Sequence, residues 1–189
     1  MLEKVIMAGF GGQGLLFMGK LVAQAMMNQG KHVTYFPSYG AEVRGGTAHC
    51  HVIISDDEIH SPVADTATAL VIMNDQSYAR FAPCLQSDGL LFLNTSIVHG
   101  HEDTKGITVP IAASDEANEL GNMRVGNMIM MGAYIEARKL MSHETLVEYL
   151  SKTLTTKKPE MLKVNLAAVA RGRDIIRQRV ESGELKLPA

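Results

Sequence analysis

Val5-Ile6-Met7-Ala8 is a short apolar run stopped by Gly9, and beyond it Leu15, Leu16, Met18, Leu21, Val22, Ala25 and Met26 recur at helical spacing. The chain therefore opens as strand, glycine loop, helix. Gly30 closes that helix, and residues 32–36, rich in β-formers and followed by Pro37, make a second strand parallel to the first through a crossover helix. Residues 37–47 read as a glycine-rich polar loop. Residues 48–55 then alternate as a strand, and Asp56-Asp57-Glu58 reads as a turn into Ile59 and His60, a β-hairpin. Residues 69–73 and 90–94 are compact apolar strands separated by a helical stretch over 77–85, and Ile107-Thr108-Val109-Pro110-Ile111 is a sixth strand at an edge. A helix over 123–140 is apolar almost all round at Met128, Ile129, Met130 and Met131, so it is buried in the domain or against a partner. Ser142 caps the next helix. Pro159 opens a last amphipathic one, about 159–182, through Leu162, Leu166, Val169 and Ile176, which packs on the domain or on a partner. Alternating strands and helices imply one Rossmann-like three-layer α/β domain over 1–189, with a mostly parallel sheet and a hairpin.

Composition narrows the functional classes. A chain of 189 residues removes roughly 70% of its unfolded surface on folding and needs no staples. Cys50 and Cys84 are too few for a disulfide framework and read as core thiols in a reducing cytoplasm. A net charge of −2 with scattered Lys and Arg supplies no basic stripe for nucleic acid. No apolar run reaches the roughly 20 residues of a membrane span, and the first residues lack a signal-peptide pattern. Twelve methionines without a tryptophan hint at an interface that repacks.

Gly9-Phe10-Gly11-Gly12-Gln13-Gly14 matches G-x-G-x-x-G in the position where that pattern has physical meaning, after a strand and before a helix. Either the loop cradles a phosphate or carboxylate, or the glycines only permit a close turn that docks another subunit's backbone. A dinucleotide enzyme places an acid about 20 residues on, at the end of the second strand. Here that place reads Tyr35-Phe36-Pro37-Ser38, and the nearest acid, Glu42, lies in the following loop. Glu42 and Arg44, among Gly45 and Gly46, either grip an anion or hold the loop, and Tyr39 either covers a ligand or fills an interface. Asn127 donates to a ligand or caps its helix. His49 and His51 share a strand face but lack a third metal ligand, and read as ordinary polar-face residues. Paired acids such as Asp56-Asp57 read as solvated charge, and Gly-x-Ser-x-Gly is missing, so no hydrolase is indicated.

The glycine loop, then Ser38-Tyr39-Gly40-Ala41-Glu42-Val43-Arg44-Gly45-Gly46-Thr47, then Asn122-Met123-Arg124-Val125-Gly126-Asn127-Met128, together resemble the gamma subunit of 2-oxoacid:ferredoxin oxidoreductases. The likeness runs from Val5 to about Leu154, nearest the 2-oxoglutarate branch, with pyruvate and branched-chain acids behind it. It implies a fold like domain III of pyruvate:ferredoxin oxidoreductase and a complex that converts a 2-oxoacid and coenzyme A to acyl-CoA, CO2 and reduced ferredoxin. It places thiamine diphosphate and Mg on alpha and beta subunits, and a 4Fe–4S cluster on an iron–sulfur (delta) subunit. This chain is then accessory: no catalytic residue or metal of its own, inactive alone, and near the coenzyme A entrance, with coenzyme A shared at the interface. Gly9, Gly11, Gly12, Gln13, Gly14, Tyr39, Glu42, Arg44, Gly45, Gly46 and Asn127 are the residues it assigns to that site. The chain's omissions agree. Two cysteines fall short of the four ligands a cluster needs, and Ser87-Asp88-Gly89 is a poor match to the Gly-Asp-Gly signature of thiamine diphosphate binding. The alternatives are a self-sufficient NAD-binding Rossmann dehydrogenase and a regulatory binding module.

Overall fold

The computed structural model describes residues 1–39, 47–99, 104–154 and 159–188. In chain order the elements are β1 (Leu2–Phe10), α1 (Leu15–Met27), β2 (His32–Tyr39), β3 (Thr47–Ser55), β4 (Ala67–Ile72), α2 (Asp75–Phe81), β5 (Leu85–Asn94) and β6 (Ile107–Ile111), followed by α3 (Ala113–Glu119), α4 (Gly126–Arg138), α5 (His143–Thr153) and α6 (Pro159–Glu181). The strands form one sheet in the order β2-β3-β1-β4-β5-β6, with β6 at the edge as its pattern predicts. β1 runs parallel to β4 and β4 to β5, while β3 is antiparallel to both β1 and β2. β1 and β2 therefore point the same way, and the sheet is a mostly parallel α/β sheet with one hairpin, β2–β3.

That hairpin lies on the other side of β3 from the one expected. Ile59 and His60 stay outside the sheet. β3 already holds nine paired positions with β1 and eight with β2, so both its edges are taken and no third strand can join it. Among the helices, α3 escapes the sequence pattern because no side chain caps it at Ala112. The stretch 123–140 resolves into a 3₁₀ turn, Met123–Val125, and then α4. Ser142 caps α5 as expected, its Oγ accepting the Thr145 N–H at 3.1 Å. Most of the methionines serve the core, since Met7, Met18, Met26, Met73, Met128, Met130 and Met131 are all buried.

By packing, the chain forms two compact units, Met1–Pro110 and Ile111–Ala189. In the first, side chains alternate between the sheet's faces. Cys50 and Val52 face α1, which comes close because Gly19 has no Cβ: one placed there would strike Cys50 Sγ and lie 3.3 Å from the Tyr35 ring. Burial pushes the Cys50 thiol up to about 12. The opposite face carries Ile6, Ala8, Ile53, Leu70, Ile72 and Leu91, packed in one apolar cluster with Phe81 of α2. In the second unit α4 and α6 touch backbone to backbone. A Cβ on Gly132 would collide with the Val169 carbonyl oxygen, and one on Gly172 with that of Ile129. Ion pairs of Arg171 with Glu116 and of Arg177 with Glu136 reinforce the packing of α6 on α3 and α4.

Gly132→Ala and Gly172→Ala should each destabilise the chain by about 1–3 kcal/mol, because overpacking against rigid backbone outweighs the roughly 1 kcal/mol that alanine adds to helix propensity. Gly11→Ala, whose Cβ meets nothing within 4 Å, should leave the unfolding midpoint unchanged. Thermal denaturation followed by circular dichroism reads all three. Unaltered midpoints for the two helix variants would contradict the crossing geometry.

Candidate functional site

From β1 the chain passes to α1 on the Cys50 face, whereas from the neighbouring β4 it passes to α2 on the Phe81 face. Adjacent parallel strands whose connections leave to opposite faces open a crevice beyond their carboxyl ends, where sheets of this kind bind ligands. The glycine loop sits at that crevice, and its glycines do different work. Gly9 has no room for a side chain: a Cβ would meet Gln13 Oε1 and stand 2.9 Å from Met73 Cβ. Gly12 and Gly14 adopt φ of 98° and 78°, the left-handed region that suits glycine. Gly11 and Gly12 are exposed, and a Cβ on either would meet none of the described residues within 4 Å, so the loop presents backbone rather than side chain there.

Gln13 braces this loop. Its Oε1 accepts the Phe10 N–H at 2.6 Å, its own N–H donates to the Phe10 carbonyl at 3.2 Å, and its Nε2 reaches across the crevice to the Met73 carbonyl at 3.2 Å. The two helices that meet here differ electrically. α2 is capped, Asn74 Oδ1 accepting the Ser77 N–H at 2.9 Å, and carries Asp75 in its first turn. α1 starts at Gly14 with no side-chain cap and no acid in its first turn, so its end of the crevice is the one whose dipole favours an anion.

Thr47 pairs with Phe10, and Tyr39 with Ala48, so β2 ends and β3 begins at this same rim. Tyr39 is the last residue of β2. Glu42, Arg44, Gly45 and Gly46 lie outside the described residues. Asn127 belongs to the second unit, buried at the second position of α4. Asn127 does not cap α4, which starts after Val125 with no side-chain cap, while Asn122 caps the preceding 3₁₀ turn, its Oδ1 accepting the Arg124 N–H at 3.0 Å. Two rim contributors were not visible in the pattern: the Met73 carbonyl, which only the pairing of β1 with β4 brings to Gln13, and Arg80. Arg80 Nη1 lies 3.3 Å from Thr47 Oγ1, and its guanidinium stands 5.0 Å from the Phe81 ring centroid. The Asn74 cap marks where α2 starts, but nothing local shows that its last turn crosses to β3.

His49 and His51 are not polar-face residues. They are 6% and 8% exposed, with the Phe81 ring centroid 4.8 Å from that of His49. The strand face they share is covered by α2. Burial first, then the Arg80 and His51 charges, lowers His49 to about 4. His51 is lowered mainly by burial, and its Nδ1 accepts the Ala64 N–H at 3.1 Å, a bond that only the neutral ring can make. Among the described residues no group of three or more His, Cys, Asp or Glu side chains could hold a metal ion, and no helix is long and apolar enough to cross a membrane.

Residues 4–175 match the family described as pyruvate ferredoxin/flavodoxin oxidoreductase. The chain belongs to that family. Among curated relatives of this oxidoreductase domain, ketoisovalerate oxidoreductase subunit VorA of Methanothermobacter marburgensis is 33% identical over 180 residues, covering 94% of this chain and 37% of its own length. The chain thus spans under two fifths of that relative. The 2-oxoglutarate synthase subunit KorC of Archaeoglobus fulgidus is 29% identical, over 95% of this chain and 92% of its own. Among solved structures, the 2-oxoglutarate:ferredoxin oxidoreductase of Magnetococcus marinus with 2-oxoglutarate, coenzyme A and succinyl-CoA bound superposes with a TM-score of 0.86 at 26% identity, over 94% of this chain and 31% of that one.

Gln13→Ala removes the Phe10 acceptor and the tie to Met73, and should cost about 1–3 kcal/mol in urea denaturation. An unchanged midpoint would show that the loop holds without its brace. His49 binds a proton more readily in the unfolded chain, near its ordinary 6.5, than in the fold, near 4. Stability should therefore fall as pH drops through that window and level off below it. His49→Phe should flatten the slope, and a parallel pH profile for the variant would reject this assignment.

Proposed function

We propose that this chain is the gamma unit of a 2-oxoacid:ferredoxin oxidoreductase. In the complex a 2-oxoacid and coenzyme A become acyl-CoA and CO2, and the two electrons released pass to ferredoxin. The carrying observation is the oxidoreductase-family domain with an exposed, side-chain-free rim at Gly11 and Gly12, braced by Gln13 at the start of α1, which has no side-chain cap and no acid in its first turn. Such a rim suits a phosphate-bearing ligand that approaches backbone. On this reading the rim shapes the coenzyme A entrance, together with Tyr39, Glu42, Arg44, Gly45 and Gly46. Thiamine diphosphate, Mg and the 4Fe–4S cluster sit on alpha, beta and delta partners, and the two compact units act as one domain in the cytoplasm. The 2-oxoglutarate synthase relatives and the Magnetococcus marinus structure support 2-oxoglutarate as substrate, and the ketoisovalerate relatives make a branched-chain 2-oxoacid the second choice.

The free-standing NAD enzyme is disfavoured by the sheet itself. A ribose-binding acid works from the end of the strand beside β1. Here β3 separates β1 from β2, leaving the end of β2 two strand spacings away, roughly 10 Å.

Purification of the tagged chain from its own cells, without oxygen, should recover large subunits with thiamine diphosphate and iron. The preparation should reduce ferredoxin only when a 2-oxoacid and coenzyme A are both present, with 2-oxoglutarate giving the highest kcat/KM. Gly12→Val and Arg44→Ala should weaken coenzyme A binding while thiamine diphosphate content stays level. A chain that elutes alone and binds NAD saturably, with Gly12→Val abolishing that binding, would replace this reading with a dehydrogenase.

A further inference from the structure

We propose that Arg80 is a binding residue of the same rim, contacting the 3′-phosphate of coenzyme A while the glycine loop receives the pyrophosphate. This rests on the coenzyme A reading above. Arg80 lies in the last turn of α2 and is exposed, yet it is held in place. One guanidinium nitrogen reaches Thr47 Oγ1 at 3.3 Å, and the Phe81 ring flanks the group. Both contacts are neutral, and among the described residues no carboxylate pairs with it. An arginine has five N–H donors in a fork that matches a phosphate monoester, and among the described residues the one hydrogen-bond partner of this guanidinium is Thr47 Oγ1.

Its place in the sheet decides which phosphate it meets. Thr47 is the register partner of Phe10, so the guanidinium stands one side chain from the glycine loop, on the α2 face of the crevice. α1 begins on the other face. The rim thus carries two separated sources of positive potential, a helix terminus with no side-chain cap and a fixed guanidinium, with strand ends between them. Coenzyme A has the matching pattern, a pyrophosphate and a separate 3′-phosphate on the ribose. Backbone N–H groups at a glycine turn suit the first, and a forked cation suits the second. Phe10, 36% exposed, shares strand parity with Ala8 and so leaves β1 on the Arg80 side, where an aromatic ring can take the adenine.

The test uses the intact complex, with isothermal titration of coenzyme A and of dephospho-coenzyme A, which lacks only the 3′-phosphate. The wild-type complex should bind coenzyme A at least about tenfold more tightly than the dephospho form, the range of a hydrogen bond to a charged group. Arg80→Ala should weaken coenzyme A by that factor and leave dephospho-coenzyme A unaltered, and Arg80→Lys should recover part of the loss. In turnover the KM for coenzyme A should rise while that for the 2-oxoacid does not move. Equal weakening of both ligands, or a lowered unfolding midpoint, would make Arg80 a structural tie to Thr47, and no change would make it idle. Either overturns the proposal. If the complex carrying Gly12→Val binds coenzyme A as tightly as the wild-type complex does, the rim reading itself fails instead.

Discussion

The ladder that joins β3 to β1 along nine positions, from Leu2 with Ser55 to Phe10 with Thr47, organises the rest of the first unit. Its hydrogen bonds place an antiparallel strand where a dinucleotide fold has its second parallel one. β2 is pushed to the edge, and β3 starts at Thr47 beside the glycine loop. Each further feature of the site inherits this register. Thr47 stands opposite Phe10, His49 opposite Ala8, and His51 opposite Ile6. A slip of one residue would turn both histidines toward α1 and Cys50 toward α2.

Glycine serves three physical ends in this chain. At Gly9, Gly19, Gly132 and Gly172 its lack of a Cβ allows close approach, by Gln13 and Met73, by the Cys50 sulfur, or by backbone across two helices. At Gly12 and Gly14 it allows a positive φ. At Gly11 neither demand is visible, because a Cβ there would meet open space. Packing among the described residues does not require glycine at Gly11. That distinction separates the part of the motif that builds the turn from the part that leaves the surface bare.

The electrostatics of the α2 face follow from burial. Two imidazoles under Phe81, near the Arg80 charge, lose their protons more readily than in water, so the histidines add no charge near neutral pH. The fixed cation at this part of the described rim is then Arg80 itself. Across the crevice the uncapped start of α1 contributes a dipole, whereas Asn74 and Asp75 satisfy the start of α2.

By itself the sequence determined the elements whose signals are local. The strand, glycine turn and helix at the start, the edge strand Ile107–Ile111, the Ser142 cap and the Pro159 start are all set by residues within a few positions of one another. The motifs around Gly9–Gly14, 38–47 and 122–128 also carried the family resemblance, since those residues adjoin in sequence. Only the tertiary structure decided which strand lies beside β1, because β3 has apolar residues on both faces and its pattern does not name its neighbours. The burial of His49 and His51 depends on α2 crossing to β3, and the place of Arg80 at the rim on the same crossing. The Gln13 bridge to Met73 joins residues 60 apart in sequence. Contacts of that span arise from the order of strands in the sheet, which alternation and helical spacing leave open.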